Sequence, residues 1–278
     1  MHGIAISTVR RIALWVLLFP LAACAADPFR FVIIGDRTGS AQAGVYERVW
    51  QEAAAEKPAF VVSAGDTIEG LNDASAAREW ADWQGLMNPY RQIPLYLTPG
   101  NHDVWSPFSE SLFRRISGHA PHYSFDSGPA HFTILDNSRT EQFSAAELAF
   151  LEDDLKAHAA QPVKFIVSHR PSWALDVMMN KTDFAVHSLA KKYGVNYVMA
   201  GHIHGMLHAE LDGVNYVSLP SAGGNLRASH KYEDGWFFGY TVVEVSAKGV
   251  SFGVRELHAP LGQGRATKLE SWGKSGIL

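Results

Sequence analysis

Residues 95–103 read Leu95-Tyr96-Leu97-Thr98-Pro99-Gly100-Asn101-His102-Asp103. The apolar run Leu95 to Leu97 has the length of a short buried strand. Gly100 lets the backbone turn sharply off its end with no Cβ in the way, and three side chains suited to metal or proton chemistry follow. The same grammar recurs along the chain. Phe31 to Ile34 leads into Gly35-Asp36, Phe60 to Val62 into Gly65-Asp66, Phe165 to Val167 into Ser168-His169, and Tyr197 to Met199 into Gly201-His202-Ile203-His204. In open α/β sheets the carboxyl ends of parallel strands form the ligand crevice, so these side chains are expected to converge there.

Helical stretches separate the runs, among them Val45 to Glu56 and Ala74 to Met87. Ser144 followed by Glu147 predicts a capping box ahead of Leu148, Leu151 and Leu155 at helical spacing. A hairpin is predicted from His122 to Leu135, turning at Ser127-Gly128-Pro129. After residue 205 the texture becomes a meander: Gly205 to Leu211, Val214 to Leu219, Phe237 to Val245 and Val250 to Leu257. Parallel units followed by a meander predict an α/β fold of two sheets packed face to face with helices outside. No repeat or linker interrupts residues 27–258, which read as one domain. Residues 259–278, Gly-rich and polar, are expected to form a flexible, loosely held tail.

With 47% hydrophobic and 19% charged residues over 278 positions, the chain has material for a full core, which excludes a disordered chain, a collagen or a multi-pass membrane protein. A net charge of −4 gives no broad surface for nucleic acid. Thirteen histidines beside one cysteine direct any metal chemistry to imidazole and carboxylate. Residues 1–26 read as an export signal: Arg10 and Arg11 precede an apolar run, Ile12 to Ala23, too short to span a bilayer as a helix. The run ends in Leu21-Ala22-Ala23-Cys24, which resembles a bacterial lipobox, so a lipidated Cys24 would tether a periplasmic protein to a membrane. Cleavage after Ala25, giving a soluble secreted form, is the alternative. Loss of residues 1–23 would leave 22 basic against 28 acidic residues, a charge of −6.

Taken together, Gly35-Asp36, Gly65-Asp66, Gly100-Asn101-His102-Asp103, Ser168-His169 and Gly201-His202-Ile203-His204 resemble the motifs of the calcineurin-like metallophosphoesterases, in that family's order. The resemblance implies a four-layer αββα sandwich and two divalent metal ions (Mn, Fe, Zn or Mg). By the same resemblance Asp66 would bridge the ions, Asp36 and His204 would bind one, and Asn101, His169 and His202 the other. One carboxylate with two oxygens suits two cations about 3.5–4 Å apart. Two aspartates do not neutralise two divalent cations, so an anionic phosphate would be drawn in. His102 resembles the family's non-ligand histidine, which contacts phosphate or protonates the leaving oxygen, with Asp103 orienting its ring. The implied activity is hydrolysis of a small-molecule or lipid-type phosphate monoester or diester.

The pattern breaks at one place. The family's first motif is Asp-x-His, whereas Asp36 is followed by Arg37 and Thr38, a poor ligand. In the purple acid phosphatase branch that histidine is also absent, and a tyrosine three residues after the bridging aspartate takes its role; here that position is Glu69. Glu69 is therefore expected either to substitute as a ligand for a hard cation or to be a solvated loop acid beside a weak first site. Arg37 and Arg170, each directly after a ligand position, are candidates to offer a fork to phosphate, with Arg37 favoured because the missing ring leaves room beside it. A surface salt bridge is the alternative for both. A binding module that kept the fold and lost turnover through Thr38 is the rival from another class. Trp105, Pro107, Phe108 and Trp173 follow ligand positions and could wall the cleft. His119, His122, His131 and His208 match no motif. Gly273-Lys274-Ser275 lacks the rest of a P-loop.

Overall fold

The computed structural model describes residues 27–257 and 264–272. The export segment with Cys24, and Gly273-Lys274-Ser275, lie outside the described residues. In chain order the elements are β1 (Phe29–Ile34), α1 (Val45–Ala55), β2 (Val61–Ser63), α2 (Asp73–Met87), β3 (Leu95–Leu97), α3 (Pro107–Ser117), β4 (Tyr123–Ser127), β5 (Ala130–Ile134), α4 (Ala145–Ala157), β6 (Val163–Val167), α5 (Ala174–Met178), α6 (Ala185–Tyr193), β7 (Tyr197–Ala200), β8 (Leu207–Leu211), β9 (Val214–Ser218), β10 (Gly239–Ser246), β11 (Gly249–Glu256) and β12 (Ala266–Lys268). Among the described residues no helix is long and apolar enough to cross a membrane.

Two six-stranded sheets result, ordered β12-β11-β10-β1-β2-β3 and β4-β5-β6-β7-β9-β8. β1, β2 and β3 run parallel in the first, and β5, β6, β7 and β9 in the second. Side chains alternate across a strand, and β1 shows why its apolar run is unbroken. Phe31 and Ile33 enter the layer between the sheets, while Val32 and Ile34 face the helices outside. The inter-sheet layer is aromatic: Phe31 stacks on Phe60 at 5.1 Å and meets Phe132 edge-on at 5.1 Å, and Phe132 stacks on Phe165 at 4.7 Å. Outer cores pack α1–α3 on the first sheet and α4–α6 on the second. The architecture is the expected four-layer αββα sandwich, with two mixed sheets.

Two expectations are corrected. Residues 264–272 are held: β12 pairs with β11 from Gly253↔Lys268 to Arg255↔Ala266, and Leu269 and Trp272 are buried. Two apolar side chains in an otherwise polar segment find the edge of the inter-sheet core, where Trp272 packs on Tyr232 and Phe237. The Ser144 hydroxyl accepts from the Glu147 amide and caps α4, but the reciprocal half of the capping box is missing. The Glu147 carboxylate instead accepts from the Asp136 amide at 3.0 Å and pairs with His122 at 2.6 Å.

Beneath α4, His131 is fully buried, with Nδ1 2.7 Å from Asp126 and Nε2 2.9 Å from Asp154. Carboxylates only accept, so both ring nitrogens donate and the ring is cationic. Burial alone would lower its pKa; Asp154 and Asp126 outweigh that and raise it. Asp154, despite burial, is held low by His131, Thr133 and Ser124. A raised histidine stabilises the fold fully below its unfolded value of about 6.5 and ceases to as pH rises through its folded value. A lowered aspartate contributes above about 3.9 and is lost as pH falls. The unfolding free energy from urea titrations should therefore decline on the alkaline side of pH 6.5, and His131→Gln should flatten that slope. An identical slope in the variant would remove this assignment.

Candidate metal centre

All five ligand-bearing strands end at the same edge of the sandwich, β1, β2 and β3 from one sheet and β6 and β7 from the other, and their loops meet over that edge. Asp36, Asp66, His169 and His204 are buried, while Asn101, His102 and His202 are half-buried. The close approach depends on glycine at two points: a Cβ on Gly100 would lie 2.2 Å from Asp66 Oδ1, and one on Gly201 would lie 2.5 Å from Asp36 Oδ2. Asp66, His202 and His204 hold left-handed backbone, with φ of 56°, 69° and 59°. Such strain persists where surrounding structure over-determines it, typically at functional sites.

One half of the centre is built on His169 Nε2, which lies 3.2 Å from Asp66 Oδ2, 3.0 Å from Asn101 Oδ1 and 3.1 Å from His202 Nδ1. His169 Nδ1 is 2.9 Å from the Ala64 carbonyl. A carbonyl can only accept, so Nδ1 carries the proton and Nε2 offers its lone pair inward when the ring is neutral. His204 repeats the device: Nδ1 donates to the Asn225 carbonyl at 2.6 Å, and Nε2 points to Asp36 Oδ1 at 3.6 Å. The other half therefore consists of Asp36 and His204, with Thr38 beside them. His204 Nε2 is buried without a hydrogen-bond partner. An orphaned buried acceptor facing a carboxylate is what a cation would satisfy, so the residues present fit divalent metal.

The electrostatics agree. Burial and Asp66 push Asp36 up against the pull of His169 and His204. Asp66, although buried, is held down to about 2 by His169, and His169, although buried, is held up at about 9, mainly by Asp66. Burial, His169 and Arg170 push His202 down to about 3, which keeps it neutral and ready to ligate. Positive charge is thus demanded between Asp36 and Asp66.

Two assigned roles are corrected. Asp103 does not touch the His102 ring: it is buried beneath the loops, its Oδ1 accepting from Thr67 and Ile68 amides at 2.8 and 3.3 Å and its Oδ2 from the Gly100 amide at 3.0 Å. The helical turn after Gly100 aims Asp103 inward, and the His102 ring instead bonds the Glu69 carbonyl through Nδ1. Arg37 is spent on the fold, donating to the Thr67 carbonyl at 2.9 Å and lying over the Tyr46 ring. Glu69 accepts from the Ala41 amide at 2.9 Å. Despite partial burial its carboxyl is held low by the Thr38 hydroxyl and the Ala41 and Ser40 amides, and it lies outside the Asp66–His169–His202 group, as Asp36 and His204 also do. Arg170 stays near: it pairs with Glu141, and its charge reaches His202.

Sequence reading missed three residues. Asn137 holds the His169 loop, its Oδ1 accepting from His169 and Arg170 amides at 3.2 and 3.0 Å. It follows β5 as the ligands follow their strands, and that spacing was a usable signal. Asn225 acts through its backbone carbonyl, which no residue type announces. Arg227, exposed on the same loop, contributes charge at His202. His119, His122, His131 and His208 make their contacts elsewhere: His119 stacks on Tyr123, and His208 bonds Asn215.

A cluster of buried carboxylates and imidazoles at the strand ends of an αββα sandwich defines the class, and the chain belongs to the calcineurin-like phosphoesterase family, whose profile matches residues 29–206. That family is generally one of phosphoester hydrolases using divalent metal ions. Purple acid phosphatase 23 of Arabidopsis thaliana is 25% identical over 197 residues, 64% of this chain and 41% of that protein. A 3′,5′-cyclic-nucleotide phosphodiesterase of Nostoc is 26% identical over 161 residues, 54% of this chain and 59% of that protein. The chain thus spans less than two-thirds of either relative. In fold, it is similar to purple acid phosphatase PPD1 of yellow lupin (TM-score 0.64, 17% identity, 87% of this chain, 53% of that one). It is also similar to GAP50, the anchor in the inner membrane complex of Plasmodium (TM-score 0.57, 16% identity, 87% and 88%).

Proposed function

We propose that the protein is a dinuclear metal-dependent phosphoesterase, exported and tethered through Cys24, that hydrolyses a small-molecule or lipid-type phosphate monoester or diester. The observation that carries this reading is the inward aim of His169 Nε2 and His204 Nε2, each fixed by a carbonyl behind it, onto Asp66 and Asp36. Asp36, Asp66 and His204 would hold one cation and Asp66, Asn101, His169 and His202 the other. The bound metal would supply acidified water and charge to hold phosphate oxygens. His102 would serve the leaving group: with Nδ1–H fixed on the Glu69 carbonyl, Nε2 is the atom left to pass a proton to the departing oxygen. Arg170 and Arg227 would hold the outer phosphate oxygens. The sequence from Arg10 to Cys24 supports export and tethering.

A second reading, a surface binding module, is favoured by Thr38, whose buried hydroxyl stands where the family has a ligand ring. Purified protein with added Mn²⁺ should release phenol from an aryl or bis-aryl phosphate, and chelator should stop it. Protein that stays folded, binds Mn²⁺ and hydrolyses neither ester would favour the binding module and end the enzyme reading.

A further inference from the structure

We infer that the metal centre continues into an apolar subsite, formed by Leu71, Trp105 and Phe108, that receives the alcohol side of an ester whose leaving group is aryl or alkyl. This rests on the phosphoesterase reading above. Among the described residues four large hydrophobic side chains are exposed, and two of them are near the site in sequence: Leu71, at 57%, on the loop that carries Asp66, and Phe108, at 44%, in the first turn of α3, which follows the His102 loop. Those loops are tied together beside the site. The Glu69 carbonyl bonds the His102 ring, and Gly70 lies so close that a Cβ there would be 1.8 Å from the His102 carbonyl oxygen and 2.8 Å from the Trp105 ring. Ser106 Oγ donates to Asp73 at 2.7 Å, tying the start of α2, which follows Leu71, to the start of α3, which carries Phe108.

Leu71 is costly twice over. It holds left-handed backbone at φ 60°, where a leucine is disfavoured by about 1–2 kcal/mol, and it shows hydrocarbon to water. Glycine or asparagine would remove both costs. A residue that the fold would be better without, beside the proposed proton donor, points to a ligand that covers it. Of the other two exposed apolar residues, Leu175 lies in α5 and Met179 directly follows it, and α5 packs on the edge strand β8.

His102 Nε2 passes its proton to the leaving oxygen, so the alcohol must lie on the His102 side, against this hydrocarbon. The reaction is ordinary hydrolysis: water oxygen bonds phosphorus, the phosphorus–oxygen bond to the alcohol breaks, and the alcohol takes the ring proton, which a proton from water replaces. A sugar or polyol here would set hydroxyls against the hydrocarbon of Leu71 and Phe108.

The test uses Mn²⁺-loaded full chain titrated with methyl-, benzyl- and octylphosphonate, beside kcat/KM for glycerol, octyl and phenyl phosphate. Benzyl- or octylphosphonate should bind at least about fivefold tighter than methylphosphonate; which of the two wins distinguishes a ring from a chain. Leu71→Asn and Phe108→Ser should each pull that ratio towards one, with octyl phosphate losing more in KM than glycerol phosphate. Met179→Ser should leave the ratio alone. The Tm of Leu71→Asn should equal or exceed wild type, which a leucine kept for packing would not allow. Equal binding of all three phosphonates, or an unchanged ratio in both variants, overturns the subsite. Failure to bind any phosphonate or cleave any ester would sink the phosphoesterase reading, and the subsite with it.

Discussion

An Asp66→Asn protein is expected to lose at least one of the two proposed cations and to hydrolyse phosphoesters about 10³-fold more slowly or worse. The estimate follows from the weaker case: removing a group that merely orients a ligand costs about 10–100-fold, and Asp66 is the side chain proposed to serve both cations. Its Oδ2 lies 3.2 Å from His169 Nε2, and its Oδ1 accepts from the His102 amide at 2.9 Å. Asparagine matches its volume and tolerates the left-handed backbone at φ 56°, so the loop should keep its path. One oxygen is lost, however. Either the new NH₂ faces the His102 amide, donor against donor, or it faces the metal side, where it cannot ligate. In chelated protein His169 should also titrate below its wild-type value of about 9, because Asp66 is its chief attraction. Elemental analysis beside turnover checks this; a folded variant with full metal and unchanged turnover would mean that the pocket is not the catalytic one.

The fold was legible where one local rule decides. The run Leu95 to Leu97 becomes a strand at the expected bounds because its side chains pack against a core on each face of the sheet, and the hairpin turns at Gly128, with φ 54°, as its sequence demands. α3 and β12 were not foreseen. α3 is opened by a Ser106–Ser109 box in place of the usual glutamate, and β12 is a short edge strand held by distant apolar neighbours. The side chains that converge on the site were legible because metal chemistry restricts residue types and strand ends restrict positions. The supporting shell was not. Asp103, Asn137 and Asn225 work by hydrogen bonds to backbone, and backbone groups are the same at every position. Arg37 shows the converse: its neighbour in sequence is a ligand, but Tyr46 and the Thr67 carbonyl, remote in sequence, claim its guanidinium.

Asp103 gives the second large effect, on stability. Asp103→Ala should lower the unfolding free energy of chelated protein by about 3–5 kcal/mol, because three buried amides, of Thr67, Ile68 and Gly100, lose their acceptor, each at about 1–3 kcal/mol, partly offset by removing a buried charge. Asp103→Asn should fall between: one oxygen still serves Thr67 and Ile68 while the NH₂ meets the Gly100 amide head-on. The effect depends on pH with a definite sign. Burial and Asp66 push the Asp103 carboxyl up to about 6 in the folded protein, so its contribution is greatest below about pH 4 and declines as pH rises to about 6. The gap between wild type and alanine variant should narrow over that interval. Urea unfolding at pH 4, 5, 6 and 7 reads both the size and the trend. Had Asp103 oriented the His102 ring instead, the alanine variant would unfold like wild type and lose only turnover.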